Sequence, residues 1–105
     1  MPEQTKFLNF LGIIRKAGQL QLGYEKASTA LQSRTARAAV IARDVSDRVR
    51  GHMIRYGAEA GIPVLTPNVT SEELSSAVGQ KAGAAAVCDK RLANKLIEIY
   101  NECRM

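Results

Sequence analysis

The apolar residues recur along the chain at two different spacings, which predict alternating helices and short strands. Phe7, Phe10, Leu11 and Ile14 follow the three-to-four-residue spacing of an amphipathic helix, and Gly18 marks its C-terminal end. The same spacing predicts four more helices. Their apolar residues, in chain order, are Ala27, Ala30 and Leu31; Val49, Met53 and Tyr56; Leu74, Ala77 and Val78; and Leu92, Leu96, Ile99 and Tyr100. Asp44 or Ser46 is expected to cap the second of these four helices, which ends at Gly61. Thr70 and Glu73 form a capping box for the third, which ends at Gly79.

Four short stretches between the helices have the character of strands. They are Gln19–Leu22, Arg37–Ala42, Ile62–Leu65 and Gly83–Cys88. The fourth consists of small apolar residues that suit a helix or a strand, but Gly83 before it and the helix cap Asp89 after it favour a strand buried on both faces. The alternation predicts a single domain, residues 1–105, built as a three-layer α/β/α sandwich with right-handed crossovers between parallel strands.

The composition excludes two classes of protein. With 46% hydrophobic and 24% charged residues, the chain is too apolar to be disordered. Its longest apolar runs, Ala38–Ala42 and Ala84–Cys88, are far shorter than the about 20 residues that cross a bilayer. The N-terminal segment lacks a signal-peptide pattern, and Cys88 and Cys103 lack the spacing of a metal or redox site. We therefore expect a cytoplasmic protein with reduced thiols.

The distribution of charge gives the first indication of a partner. The net charge is +5, and residues 1–55 hold ten basic and four acidic side chains, whereas residues 56–105 hold five and six. This excess favours a polyanion such as nucleic acid, although a merely soluble basic surface would have the same composition. Membrane binding is disfavoured because no single basic amphipathic helix is rich in Trp or Phe.

Signatures of catalysis are few. His52, the only histidine, lies inside a predicted helix and is expected to be a surface or partly packed residue. Cys88, at a strand-to-helix junction, could be an activated thiol, but a small apolar residue that ends a buried strand explains it as well. No GxGxxG or P-loop motif occurs, so the sequence predicts no catalytic residue, no metal site and no cofactor.

Two glycine-marked loops carry polar and basic residues. Gly23–Lys26 opens a predicted helix whose free N–H groups suit a phosphate, and Gly79–Gly83 precedes the last strand. Glycines at helix boundaries are also routine, so the residues alone leave a structural and a functional interpretation open.

Taken together, these segments resemble the L7Ae/L30e ribosomal-protein family, and most of all its small bacterial L7Ae-like members called YlxQ. The resemblance covers about residues 5–100 and is carried by Leu11–Gly18, Gly23–Leu31, Ile62–Val64 and the segment from Leu74 to Val87. It implies a mixed sheet in the order 1-4-2-3 with strand 4 antiparallel to its neighbours.

That topology would bring four loops to one end of the sheet. They are Gly23–Lys26, Arg43–Asp47, Thr66–Thr70 and Gly79–Gly83. In the family this surface grips RNA, typically a kink-turn, through a Gly-x-Asn-Glu motif, a lysine one turn later and the loop before the last strand. The resemblance therefore implies these RNA-binding residues: Gly23, Tyr24, Glu25, Lys26, Thr29, Arg43, Gly79, Gln80, Lys81 and Ala82.

The sequence departs from the family motif after its first glycine. Glu25 stands at the Asn position, Lys26 at the Glu position and Thr29 at the lysine, while Ala82 stands where some members have an arginine. The ammonium of Lys26 cannot accept protons from a guanine edge, whereas the carboxylate of Glu25, displaced by one residue, could do so. These residues therefore favour RNA binding over kink-turn specificity. Ser46 and Arg50 stand where some members have a glutamate and an isoleucine that line a base pocket.

Three hypotheses follow. The first is a non-catalytic, monomeric protein that binds structured RNA, with ribosomal RNA as one candidate. The alternative is a protein-interaction or scaffold domain that kept the fold and lost RNA binding; the third is an enzyme built on a cysteine. A basic surface clustered around the four loops would favour RNA, and a dispersed one the scaffold.

Overall fold

The computed structural model describes residues 3–103, which form five helices and four strands. Their bounds are α1 Glu3–Lys16, β1 Leu20–Leu22, α2 Tyr24–Gln32, β2 Ala38–Ile41, α3 Asp47–Ala60, β3 Val64–Leu65, α4 Ser71–Val78, β4 Ala84–Val87 and α5 Lys90–Cys103. The predicted order of elements is confirmed.

The four strands form one sheet in the order β1-β4-β2-β3. Strand β4 runs antiparallel to both β1 and β2, while β2 and β3 are parallel. This confirms the mixed sheet implied by the family resemblance, and it corrects the all-parallel sheet that alternation alone suggests. Leu22 lies opposite Ala85 and Ile41 opposite Ala84, so β1 and β2 end beside the start of β4.

Helices cover both faces of the sheet, which makes the predicted three-layer sandwich. On one face, α1, α4 and α5 pack with Ala85 and Val87; on the other, α2 and α3 pack with Ala84 and Ala86. Each of these four residues of β4 is at most 1% exposed, as predicted for a strand buried on both faces. Because alternate side chains of the strand face opposite layers, only small residues fit between closely packed helices.

The third strand is shorter than predicted because its first residue is hydrogen-bonded to the end of the preceding helix. The N–H of Ile62 donates to the carbonyl of Gly57 at 2.8 Å and so completes the end of α3, and Pro63 has no N–H for a strand ladder. Val64 and Leu65 pair with β2, and Pro63 contributes only its carbonyl, which accepts from the N–H of Ala39 at 3.0 Å.

Most helix ends follow the local signals in the sequence. Ser46 caps α3 by accepting from the N–H of Val49 at 3.2 Å, and Gly61 ends that helix in the left-handed conformation. Thr70 and Glu73 form the predicted capping box of α4, with bonds of 3.1 Å and 2.9 Å. Among the helices of residues 3–103, none is long and apolar enough to span a membrane.

Candidate functional site

Four loops meet at the end of the sheet where β1, β2 and β3 finish and β4 begins. The N–H of Gly23 donates to the carbonyl of Ala84 at 2.9 Å, and the N–H of Ala42 donates to the carbonyl of Gly83 at 2.9 Å. The N–H of Arg43 donates to the carbonyl of Val69 at 2.8 Å, which joins the loops after β2 and β3. We call residues 23–26, 43–47, 66–70 and 79–83 the loop end.

A side-chain bridge reinforces the junction between the loop after β2 and helix α4. One carboxylate oxygen of Asp44, Oδ1, accepts from both the backbone N–H and the hydroxyl of Ser71, each at 2.8 Å. The hydroxyl of Ser71 and then its N–H lower the pKa of Asp44 below its usual value of 3.8, because both bonds favour the carboxylate. Asp44 therefore caps the N-terminus of α4 and not that of α3.

Arg50 also stabilises the loop after β2. Its guanidinium donates from Nη2 to the carbonyl of Arg43 at 3.0 Å and to that of Ala42 at 3.5 Å. Because these bonds hold the side chain against the loop, Arg50 stabilises the loop after β2.

The loop before β4 divides into exposed and buried positions. Gly79 is left-handed, at φ 75°, and the exposed Gln80 accepts from Nη1 of Arg15 at 3.2 Å. Lys81 is exposed, but the methyl group of Ala82 lies in the core. The N–H and carbonyl of Ala82 both bond to the hydroxyl of Ser75, at 2.9 Å and 3.2 Å. Ala82 therefore leaves no free group for a ligand and instead shapes the loop around Lys81.

The loop after β1 leaves the first N–H groups of α2 without a side-chain cap, since Gly23 stands at the N-cap at φ 94°. Glu25, Lys26 and Thr29 are exposed and line a cleft of about 520 Å³ beside strand β1. Cys88 lies in the same cleft, where burial raises the pKa of its thiol above 9.0. A protonated thiol is a poor nucleophile, so the surroundings of Cys88 do not activate it.

Tyr24 makes a contact that sequence reasoning missed. Its hydroxyl lies 2.6 Å from Nδ1 of His52 on α3, and both side chains are half-buried. The imidazole of His52 also lies beside the ring of Tyr56, with centroids 5.9 Å apart. The spacing of His52 and Tyr56 on one helix was a visible signal, but nothing in the sequence pairs that helix with Tyr24.

Three exposed cations come from three different loops of the loop end: Lys26, Arg43 and Lys81. Exposed acids are interspersed among them: Glu25, Asp44 and Asp47 lie in the loop end, and Glu72 lines the same cleft as Lys81. The loop end thus carries as many exposed acids as exposed cations and is not a uniformly basic surface. Within the described residues, no group of three or more His, Cys, Asp or Glu side chains could hold a metal ion.

Comparison with solved structures identifies proteins of similar fold. The chain is similar to the structure of a protein with unknown function from Bacillus halodurans C, with 23% identity, a TM-score of 0.86 and coverage of 91% of this chain and 97% of that one. It is also similar to the Giardia lamblia 15.5kD RNA binding protein, with 17% identity, a TM-score of 0.78 and coverage of 99% and 89%. No curated protein matches it in sequence.

The family profile is more decisive than these pairwise likenesses. The profile described as "Ribosomal protein L7Ae/L30e/S12e/Gadd45 family" matches residues 5–100. That range includes every element of the sheet and all four loops of the loop end. The chain belongs to the ribosomal protein L7Ae/L30e/S12e/Gadd45 family.

Proposed function

We propose that this protein is a non-catalytic RNA-binding protein of the L7Ae-like type, of the bacterial YlxQ group, which acts as a monomer in the cytoplasm through one domain, residues 1–105. The observation that carries the proposal is the arrangement of Lys26, Arg43 and Lys81 on three loops that meet at one end of the sheet. Family membership and the likeness to the Giardia lamblia RNA binding protein support it.

The loop end has the chemistry that a folded RNA needs. Lysine and arginine neutralise phosphates, and the uncapped N–H groups at the start of α2 add a further site for an anion. The Asp44–Ser71 bridge and the bonds of Arg50 hold the loops in place before binding. A preformed surface loses less conformational entropy when a ligand binds.

The RNA contacts that we propose are made by backbone or side chain at Gly23, Tyr24, Glu25, Lys26, Thr29, Arg43, Gly79, Gln80 and Lys81. Ala82 is excluded as a direct contact because its methyl group and both backbone polar groups are occupied. Lys26 at the family's glutamate position favours recognition of phosphates and shape over readout of a guanine edge.

A matched pair of triple variants tests the proposal. Lys26→Gln/Arg43→Gln/Lys81→Gln and Lys90→Gln/Arg91→Gln/Lys95→Gln each remove two lysines and one arginine, but the second set lies on α5. We measure the affinity of each for a folded ribosomal RNA fragment and a hairpin over a series of salt concentrations.

The loop-end variant should bind weakly and with a salt dependence about two to three units shallower on a log–log plot, at roughly 0.7 to 0.9 units for each lost phosphate contact. The α5 variant should retain the parent's affinity and slope. Equal losses in both variants would show non-specific attraction to net charge. Failure of the parent to bind either RNA would instead favour the scaffold hypothesis.

A further inference from the structure

Helix α3 carries a line of basic and aromatic residues that the loop end does not include. Arg48, His52 and Tyr56 are spaced four residues apart and lie along one side of the helix. Gly51 lies three residues after Arg48, and Arg55 lies one residue before Tyr56, so both lie next to this line on the helix surface. We call these five residues the α3 stripe.

The rings of the α3 stripe continue from the loop end. Tyr24 and His52 have ring centroids 6.0 Å apart with an angle of 32° between their planes, and His52 and Tyr56 are 5.9 Å apart at 35°. The guanidinium of Arg55 lies 5.2 Å from the centroid of Tyr56. The side chains of Tyr24, His52 and Tyr56 are half-buried, so each keeps a part that is exposed to solvent.

The two arginines of the stripe are available to a ligand. Arg48 is exposed, and no hydrogen bond or ion pair of its side chain occurs within residues 4–102. Besides the ring of Tyr56, Arg55 has one charged partner within the described residues, the exposed carboxylate of Glu59, with Nε and Oε1 3.7 Å apart. An exposed pair of this kind contributes little free energy, so a phosphate can compete for the guanidinium.

Nothing within the described residues requires a glycine at position 51 for steric reasons. A methyl group built at this position would have no atom within 4 Å, whereas one at Gly57 would meet the side chain of Val64 and lie 2.8 Å from the carbonyl oxygen of Ile62. A glycine inside a helix is unfavourable by about 0.5 to 1 kcal/mol relative to alanine. The open space at Gly51 would let a ligand approach the helix backbone between Arg48 and Arg55.

We infer that the α3 stripe binds an unpaired RNA strand that continues from the structured RNA at the loop end. This inference rests on the proposed function. Bases stack on the accessible parts of the rings and on Arg55, phosphates pair with Arg48 and Arg55, and the strand passes over Gly51. Aromatic rings beside cations are the usual platform for single strands because every base has a stacking face.

The experiment compares one hairpin in three forms: blunt, with an unpaired uridine overhang at its 5′ end, and with the same overhang at its 3′ end. The parent protein should bind one overhang form at least about fivefold more tightly than the blunt hairpin, since stacking contributes about 1 to 3 kcal/mol per base. Arg48→Gln/Arg55→Gln should lose this gain and still bind the blunt hairpin. Arg37→Gln/Arg91→Gln, which removes two exposed arginines elsewhere, should keep the gain.

Gly51→Gln separates binding from folding. Glutamine favours a helix more than glycine, so this variant should unfold at a higher temperature yet lose the overhang gain. A destabilised fold cannot produce that combination.

Three results would overturn the inference. The overhangs could add no affinity in the parent, the gain could survive both Arg48→Gln/Arg55→Gln and Gly51→Gln, or a polyglutamate peptide could displace the overhang as well as polyuridine does. If the blunt hairpin still binds in these cases, the proposed function stands and only the inference falls. If the parent binds none of the hairpins, both fall.

Discussion

Asp44 and Ser71, 27 positions apart in sequence, are joined through a single carboxylate oxygen of Asp44 that accepts two hydrogen bonds of 2.8 Å. Ser71 is the first residue of α4, and Asp44 lies in the loop after β2. The carboxylate therefore caps α4 from outside its own segment, while Thr70 and Glu73 cap the same helix locally. The bridge therefore adds to the bonds that hold the loop after β2 a contact that is stronger when Asp44 is ionised.

The bridge predicts a pH-dependent contribution to stability. Since the pKa of Asp44 is lower in the folded state than its usual 3.8, the contribution is complete above that value and is lost as the pH falls through the lowered pKa. Asp44→Asn should unfold at a lower temperature than the parent at neutral pH, because a charged acceptor makes stronger bonds, and the difference should close in strong acid. The unfolding temperatures of the parent and of Asp44→Asn, measured across a range of pH, test this difference, with Glu98→Gln on α5 as the control. A difference that stays constant into strong acid would contradict this role.

Two glycines of α3 should respond oppositely to alanine. Gly51→Ala should raise the free energy of unfolding by about 0.5 to 1 kcal/mol, because the added methyl group meets no atom and reduces the entropy of the unfolded chain. Gly57→Ala should lower it by about 1 to 3 kcal/mol, because its methyl group would collide with Val64 and the carbonyl of Ile62. Urea unfolding of both variants tests the pair, and changes of the same sign would show that α3 is packed differently.

The loop after β1 predicts a change in RNA selectivity. Restoring the family's pair with Glu25→Asn/Lys26→Glu supplies an acceptor for a guanine edge, and a good base contact contributes about 1 to 3 kcal/mol. The ratio of affinities for a kink-turn and a straight duplex should rise by about tenfold. Both changes together lower the net charge by one, so Lys95→Gln is the matched control. A parent that already prefers the kink-turn strongly, with no gain in the double variant, would contradict this interpretation.

Cys88 should be unreactive and dispensable. Burial raises the pKa of its thiol above 9.0, so little thiolate exists at neutral pH. In a Cys103→Ser background, iodoacetamide should label Cys88 much more slowly in the folded protein than in urea. This background is necessary because Cys103, the second cysteine of the chain, would also react with iodoacetamide. Cys88→Ser should retain the parent's RNA affinity. Loss of RNA binding in a Cys88→Ser protein that remains folded would contradict this prediction and revive the enzyme hypothesis.

The sequence by itself determined the order of the elements and most of their ends. Periodicity of apolar residues depends on neighbours within about four positions, so it is present in the chain before any tertiary contact forms. The capping box at Thr70 and Glu73 and the left-handed glycines at Gly61 and Gly79 are local in the same sense. The buried β4 also followed from its small apolar residues and its flanks.

The order of the strands came from resemblance to a family rather than from periodicity. Alternation alone predicted parallel strands, and it could not tell that β4 inserts between β1 and β2 in the opposite direction. Periodicity reports which face of an element is buried but not which element covers it.

Only the tertiary structure decided the roles of individual side chains at the loop end. Asp44 bonds to Ser71, Tyr24 meets His52 28 positions away, and Ala82 turns into the core although it lies in a loop. Each of these contacts joins segments that the sheet order brings together. Side-chain partners depend on positions in space fixed by packing, and the spacing of residues along the chain does not specify them.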